Sequence, residues 1–277
     1  MRYAIAGLGP VGRRIALAAS SLGHEVLWYD PSPSLTAEWS RAASVAELVQ
    51  GADRFVSAVP GPEASVVARA VSDSGLTPAI YEDWASATPD EKRRVGEAVG
   101  GPYLDVALLD SITATEPLIC LAGSSSRVVA PELEALGFAV LIAGDNPGEA
   151  ALVKMVRSLF MKPFEAIAIE AVRTSLKWDA SGSAIASIDR TLGTNLRSLS
   201  DMLLETNRQH AARRARELSD ANSSVGLPSG DILFRAAATY LSDLSANWSD
   251  LGAPPVGASA TELLDFLSSK EPRPDGH

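Results

Sequence analysis

A single cysteine, Cys120, and three histidines in 277 residues leave the chain little of the side-chain chemistry that builds disulfides or metal centres. One thiol can make no intramolecular disulfide, and within "PLICLAG" it reads as a small core hydrophobe. Neither HxxxH nor CxxC spacing occurs, so no metal site is expected. A basic excess is missing too: 24 Lys and Arg against 34 Asp and Glu give a formal net charge of −10, which argues against nucleic acid as a partner. Long uncharged apolar runs are absent, and "MRYAIAGLGPVG" lacks the layout of a secretory leader, so neither a membrane span nor a membrane partner is expected. The expected compartment is the cytoplasm. What is present, 46% hydrophobic and 21% charged residues, suits a globular chain of one large or two ordinary domains.

From Arg2 to about Ala143, short β-type runs ("YAIAGLG", "EVLWYD", "RFVSAVP", "AIYEDWA", "YLDVALL", "PLICLAG", "FAVLIAG") alternate with helical ones. Such alternation describes an α/β domain with a mainly parallel, doubly wound sheet. Beyond Gly144 the strand signal stops, and helical stretches broken at "DASGS", "SSVGLPSG" and "LGAPPVGAS" predict an all-α domain. Asn146 as N-cap, Pro147 at the first helical position and Glu149 at N3 predict a helix start, so the boundaries are placed at 1–145 and 146–268, with 269–277 a frayed tail. The joining helix, "NPGEAALVKMVRSLFMKPFEAIAIEAV", carries Lys154 near its start, and Pro163 is expected to bend it.

"AIAGLGPVG" sets Gly7, Gly9 and Gly12 in a GxGxxG pattern after a strand and at the opening of a helix. Glycines there allow a tight turn, close approach of backbone to a pyrophosphate and close helix packing, while the helix N-terminus supplies amide donors. The turn residues Leu8, Pro10 and Val11 belong to the same expected contact. The next strand ends in Asp30, a carboxylate able to accept from both ribose hydroxyls of an adenosine; no arginine follows in "DPSPS", so NAD is expected, with NADP still open. Val59 and Pro60 in "VSAVPG" and Ser86 in "DWASATP" fall at the carboxyl edge of the sheet, where ligands of open α/β sheets bind, or are ordinary loop residues.

With these motifs in place, "GEAALVKMV" at the junction makes the chain resemble the β-hydroxyacid dehydrogenases, the group of 6-phosphogluconate and 3-hydroxyisobutyrate dehydrogenases, over nearly its whole length. "DWASATPDEKR" is similar to the fifth-strand segment of that group, "LDVALLDS" to the start of its substrate loop, and "VKMVRSLFMKPFEAIAIEA" to its interdomain helix. The resemblance implies that Lys154 is the catalytic lysine and that the helical domain forms a homodimer. There are departures: Leu109, Asp110 and Ser111 stand where the family offers a serine and two glycines, Arg157 and Ser158 stand at its asparagine, and Met161 at the acid of the phosphogluconate enzymes. Phosphogluconate is therefore not the expected substrate. The segment "RQHAARRARELSDANSSVGLPS" resembles a bacterial branch of the group, which singles out His210, Arg213, Arg214 and Glu217.

Chemically, a lysine desolvated between two domains has its charged form disfavoured and can exchange the hydroxyl proton as hydride passes to a nicotinamide. Ser158, Met161 and Glu165 share its helical stripe, with Arg157 at the margin. Arg157 either clamps a substrate carboxylate or pairs with an acid, and Glu165 either replaces the missing acid or pairs with an arginine. The six arginines Arg190, Arg197, Arg208, Arg213, Arg214 and Arg216, with His210, make either an anion pocket or a solvated face of internal ion pairs. The expected activity is hydride transfer between a nicotinamide and a small, anionic β-hydroxy acid or related alcohol. Reduction of C=N bonds and nucleotide sensing without turnover are the alternatives.

Overall fold

A computed structural model describes residues 1–32, 37–177, 181–193, 196–225 and 231–250, and its chain divides into two compact units, Met1–Met155 and Val156–His277. The expected tail and the "LGAPPVGAS" break lie outside the described residues. In the first unit β1 (Arg2–Ala6), α1 (Pro10–Ser21), β2 (Glu25–Tyr29), β3 (Ser40–Arg41), α2 (Val45–Val49), β4 (Arg54–Ser57), α3 (Gly61–Asp73), β5 (Ile80–Asp83), α4 (Pro89–Val99), β6 (Tyr103–Leu108), β7 (Leu118–Ala122), α5 (Ser126–Ala135) and β8 (Ala139–Gly144) follow in order. One sheet holds the strands as β3-β2-β1-β4-β5-β6-β7-β8. Every pair is parallel except β6 with β7, which run antiparallel. The two-residue strand β3 is too short to leave a periodicity of its own in the sequence.

Strand side chains alternate between two cores, one on each face of the sheet, as a parallel sheet covered on both sides requires. Tyr3, Ile5, Trp28, Val56 and Leu104 pack with Ile15 of α1 and Leu133 of α5. Ala4, Ala6, Phe55 and Tyr81 pack with Leu48 of α2, Val67 of α3 and Val95 of α4. The strand order reverses beside β1, with β2 on one side and β4 on the other, so loops leaving β1, β4 and β5 open a crevice at their carboxyl ends.

Four helices complete the described chain: α6 (Glu149–Lys177), α7 (Ser181–Leu192), α8 (Leu196–Val225) and α9 (Asp231–Asp250). The start of α6 differs from the predicted Pro147. Gly148 adopts φ +93, a conformation closed to most side chains, and the helix begins at Glu149. Glu149 does reach back to Asn146, accepting from its backbone N (3.1 Å) and its Nδ2 (2.9 Å). The helical amides, however, are met by a residue distant in sequence: Asp105 Oδ2 of β6 accepts from Gly148 N and Ala151 N, both at 3.1 Å. The helix then continues through Pro163 to Lys177.

In the second unit Ile169 and Val172 of α6, Ile185 of α7, Leu203, Ala211 and Ala215 of α8, and Leu241, Leu244 and Trp248 of α9 share one core. A further break, where Gly193 takes φ +65 after α7, divides a stretch that composition reads as continuous helix. Among the described residues no helix is long and apolar enough to cross a membrane.

Candidate active site

The turn after β1 shows why each glycine is there. Gly7 has φ +90, and a Cβ on it would stand 2.6 Å from the carbonyl oxygen of Ala58. A Cβ on Gly12 would collide with the carbonyl oxygen of Gly7, so this residue lets α1 lie against the strand end. Gly9 differs, since nothing lies within 4 Å of its notional Cβ. Gly9 is also the N-cap of α1 and supplies no side-chain cap, with Pro10 as the first helical residue. An open space facing uncapped helix amides fits a pyrophosphate. Leu8 buries its side chain and donates its amide to Asp30 Oδ2 at 3.0 Å, while Asp30 Oδ1 accepts from Ser32 N at 2.9 Å. The Asp30 carboxylate is thus anchored to the glycine turn. Val11 is half-buried and packs on the core.

At the ends of β4 and β5, Val59 packs on the second core and Pro60 forms the exposed N-cap of α3. A Cβ on Gly61 would collide with the carbonyl oxygen of Ser86, so the two strand-end turns touch through a glycine that sequence reasoning passed over. Ser86 Oγ accepts from Lys154 Nζ at 2.6 Å. Two residues predicted separately, from a strand end and from the joining helix, are therefore partners, both belonging to the first unit.

Beneath this pair lies a buried ionic cluster that no local pattern announced. Lys92 of α4 donates to the carbonyl of Asp83 at 2.7 Å and stands 3.3 Å from both Asp83 Oδ1 and Asp105 Oδ1. Asp83 also accepts from Ala85 N at 3.0 Å and from the Tyr103 hydroxyl at 2.8 Å. All three charged groups are essentially inaccessible to solvent. Asp83 thus shapes the turn that leads to Ser86, Asp105 caps the helix that carries Lys154, and Lys92 joins the two.

The loop between β6 and β7 contains Ser111, which is exposed and shares a 2.7 Å hydrogen bond with Thr113. Arg14 of α1 holds this loop, donating through Nη1 to the carbonyls of Ile112 (3.1 Å) and Ala114 (2.9 Å) and through Nη2 to that of Thr115 (2.9 Å). Its guanidinium rests on the Phe138 ring, 5.4 Å from the centroid. Adjacent to the last glycines of the motif, Arg14 ties the expected substrate loop to the helix of the nucleotide turn. Nothing in "GPVGRR" separates it from a surface arginine.

In the second unit, Arg157 is exposed while Ser158 and Met161 are half-buried. Glu165 is buried and meets Arg214, as well as Asn207 Nδ2 at 2.8 Å; of its two expected uses, pairing with an arginine is the one seen. Asn207 Oδ1 in turn accepts from Trp248 Nε1 at 3.1 Å. Glu217 is bracketed by Lys162 at 3.1 Å and Arg213 at 2.6 Å. Burial pushes the Glu165 carboxyl up and the Lys162 ammonium down; for Glu217, burial also pushes up, but Lys162 and Arg213 together hold it below the usual range. His210 is half-buried, and burial followed by Arg213 and Arg214 lowers its pKa. Arg213, Arg214 and Glu217 are thus engaged in ion pairs along α6 and α8.

No family model matches the chain. A curated relative in Methanothermus fervidus, an uncharacterized 28.5 kDa protein in the 7S RNA 5′ region, is 25% identical over 180 residues, 65% of this chain and 70% of that protein. Among solved structures, a conserved hypothetical protein from Sinorhizobium meliloti aligns at 25% identity and TM-score 0.76, covering 97% of this chain and 96% of that one. The 3-hydroxyisobutyrate dehydrogenase of Mycobacterium tuberculosis, solved with L-serine, aligns at 18% identity and TM-score 0.77 over 97% and 98% of the two chains. An imine reductase variant from Myxococcus stipitatus in complex with NAD+ aligns at 16% identity and TM-score 0.60 over 96% and 98%.

Proposed function

We propose that this chain, which has the two-domain fold of the β-hydroxyacid dehydrogenase superfamily, is an NAD(P)-dependent oxidoreductase acting on a small β-hydroxy acid or related alcohol. The observation that carries the reading is the 2.6 Å contact between Lys154 Nζ and Ser86 Oγ, on the sheet whose first turn leaves open space at Gly9. A bound nicotinamide would supply the hydride acceptor. Gly9 and the first amides of α1 would receive the pyrophosphate, Asp30 the adenosine ribose, and the turns at Val59, Pro60 and Ser86 the remainder.

On oxidation the carbinol carbon would give up its hydrogen with both bonding electrons to the nicotinamide, while Lys154 Nζ takes the hydroxyl proton as the carbonyl forms. Reduction returns that proton to the alkoxide oxygen. Ser86 acts by accepting from Nζ, which fixes the direction in which the amine lone pair or remaining protons point. Asp105 and Asp83 act through backbone, setting the helix start and the strand-end turn that bring the two side chains together. Ser111, Arg157, Ser158, Met161, His210 and Arg213 are proposed substrate-side residues, with Arg157 offering a carboxylate clamp.

A second reading, C=N reduction, is favoured by the fold shared with an imine reductase and by a substrate loop of Leu109, Asp110 and Ser111 in place of serine and two glycines. A panel of β-hydroxy acids with NAD+ or NADP+, run beside cyclic imines with the reduced cofactors, separates the readings. The leading reading expects turnover in the first arm, abolished in Lys154→Ala. Turnover confined to imines would replace it with the second, and tight nucleotide binding with no turnover in either arm would make the chain a sensor.

A further inference from the structure

We infer that Arg41 builds a 2′-phosphate subsite at the end of β2, so that the chain takes NADP(H) as well as NAD(H); this rests on the dinucleotide reading proposed above. No arginine follows Asp30 in "DPSPS", which favoured NAD and left NADP open. The fold supplies one from the next strand. Arg41 pairs with Trp28 in the β2–β3 register, and its guanidinium carbon lies 4.9 Å from the Trp28 ring centroid. Its Nη2 donates to the carbonyls of Asp30 at 2.8 Å and Ser32 at 3.0 Å. The cation is thus clamped on the backbone of the residue whose side chain would meet the ribose.

Two features give this cation a ligand-directed part. Both of its hydrogen bonds use Nη2, so Nε and Nη1 have no acceptor among the described residues, and the side chain is exposed. The Asp30 carboxylate is meanwhile held by Leu8 N and Ser32 N, which tie it toward the glycine turn. A ribose diol received by the Asp30 carboxylate would lie beside the residue whose carbonyl holds the Arg41 guanidinium. Unphosphorylated, its 2′-oxygen donates to Asp30; phosphorylated, it presents oxygens to the planar fork of Arg41, a geometry that suits phosphate better than lysine would. Stacking on Trp28 orders the guanidinium in advance of binding.

The test is fluorescence titration of the full chain with NADPH and with NADH, for wild type, Arg41→Ala and Arg41→Lys. Wild type is expected to bind both, within about tenfold of each other, and NADPH affinity to fall more steeply with salt. Arg41→Ala should weaken NADPH by about 10- to 100-fold, as loss of charge-assisted bonds does, and NADH by less than about threefold. Arg41→Lys should fall between. If Arg41 only anchors the loop backbone, Arg41→Ala will weaken both nucleotides equally, which overturns the inference, as does wild type that binds NADH and no NADPH. Binding of neither nucleotide would instead overturn the dinucleotide reading on which it rests.

Discussion

Gly9 and Gly12 lie in one turn yet answer to different constraints, and substitution should tell them apart. Gly12→Ala drives a methyl group into the Gly7 carbonyl and should cost about 3 kcal/mol in urea unfolding, as overpacking of a close backbone contact does. Gly9→Ala meets open space at φ −72, so its melting temperature should stay within about 2 °C of wild type while NADH affinity falls about tenfold or more. Equal loss of stability in the two variants would remove the ligand-facing role from Gly9. Burial, followed by the nearby Asp105 carboxylate, pushes the Cys120 thiol up to about 11, so it stays protonated near neutrality. A disulfide reagent should label it at least about 100-fold faster in urea than in the native protein. The three glycines were legible because a motif of local spacing carries them, and Lys154 was singled out by the family resemblance of its helix. Arg14, Asp105 and Arg41 were not, because what they bind is backbone far along the chain or exposed only by strand pairing: Arg14 reaches 98 residues to Ile112, and Asp105 reaches 43 residues to Gly148.

Among elements, the start of α6 is where the sequence reading and the structure part. Asn146, Pro147 and Glu149 form a sound local capping pattern, but the left-handed Gly148 and the Asp105 carboxylate decide where the helix begins. Asp105→Ala removes that cap and leaves Lys92 with one of its two buried acids, so unfolding stability should fall by about 3 kcal/mol. Asp105→Asn, which keeps an acceptor for the amides, should lose less, and both should lower kcat more than nucleotide affinity because the helix that carries Lys154 shifts. Between α6 and α8 the two carboxylates respond to acid in opposite senses. Glu217 has its folded pKa below the unfolded value, so its stabilising contribution is complete above about pH 4.5 and is lost as pH falls through the lower folded value. Glu165 is raised, so its own contribution grows as pH falls through that upper value. Urea midpoints of Glu217→Gln and wild type should therefore converge as pH drops below about 4.5 because wild type loses stability, whereas the pH-dependent gap between Glu165→Gln and wild type should close already above that pH because wild type gains.

For the molecule as a whole, the alternation of strand and helix up to Gly144, and its disappearance beyond, was enough to read a Rossmann half followed by helices. The antiparallel β7 and the two-residue β3 were hidden, since direction and edge pairing leave no mark in hydrophobic periodicity. On α6, Val156, Phe160 and Ile167 fall within a narrow helical stripe, and Phe160 is 68% exposed. We expect a second copy of the chain to cover it: Phe160→Glu with Ile167→Glu should convert a dimer to a monomer in sedimentation, and a wild-type monomer would refute the expectation. The central claim, that Lys154 exchanges the substrate proton during hydride transfer, is tested most directly by single-turnover formation of reduced cofactor from wild type and Lys154→Ala saturated with the same nucleotide. The account predicts unchanged nucleotide affinity and a rate about 100- to 10,000-fold slower in the variant. Reduction of the cofactor at the wild-type rate by Lys154→Ala would contradict it.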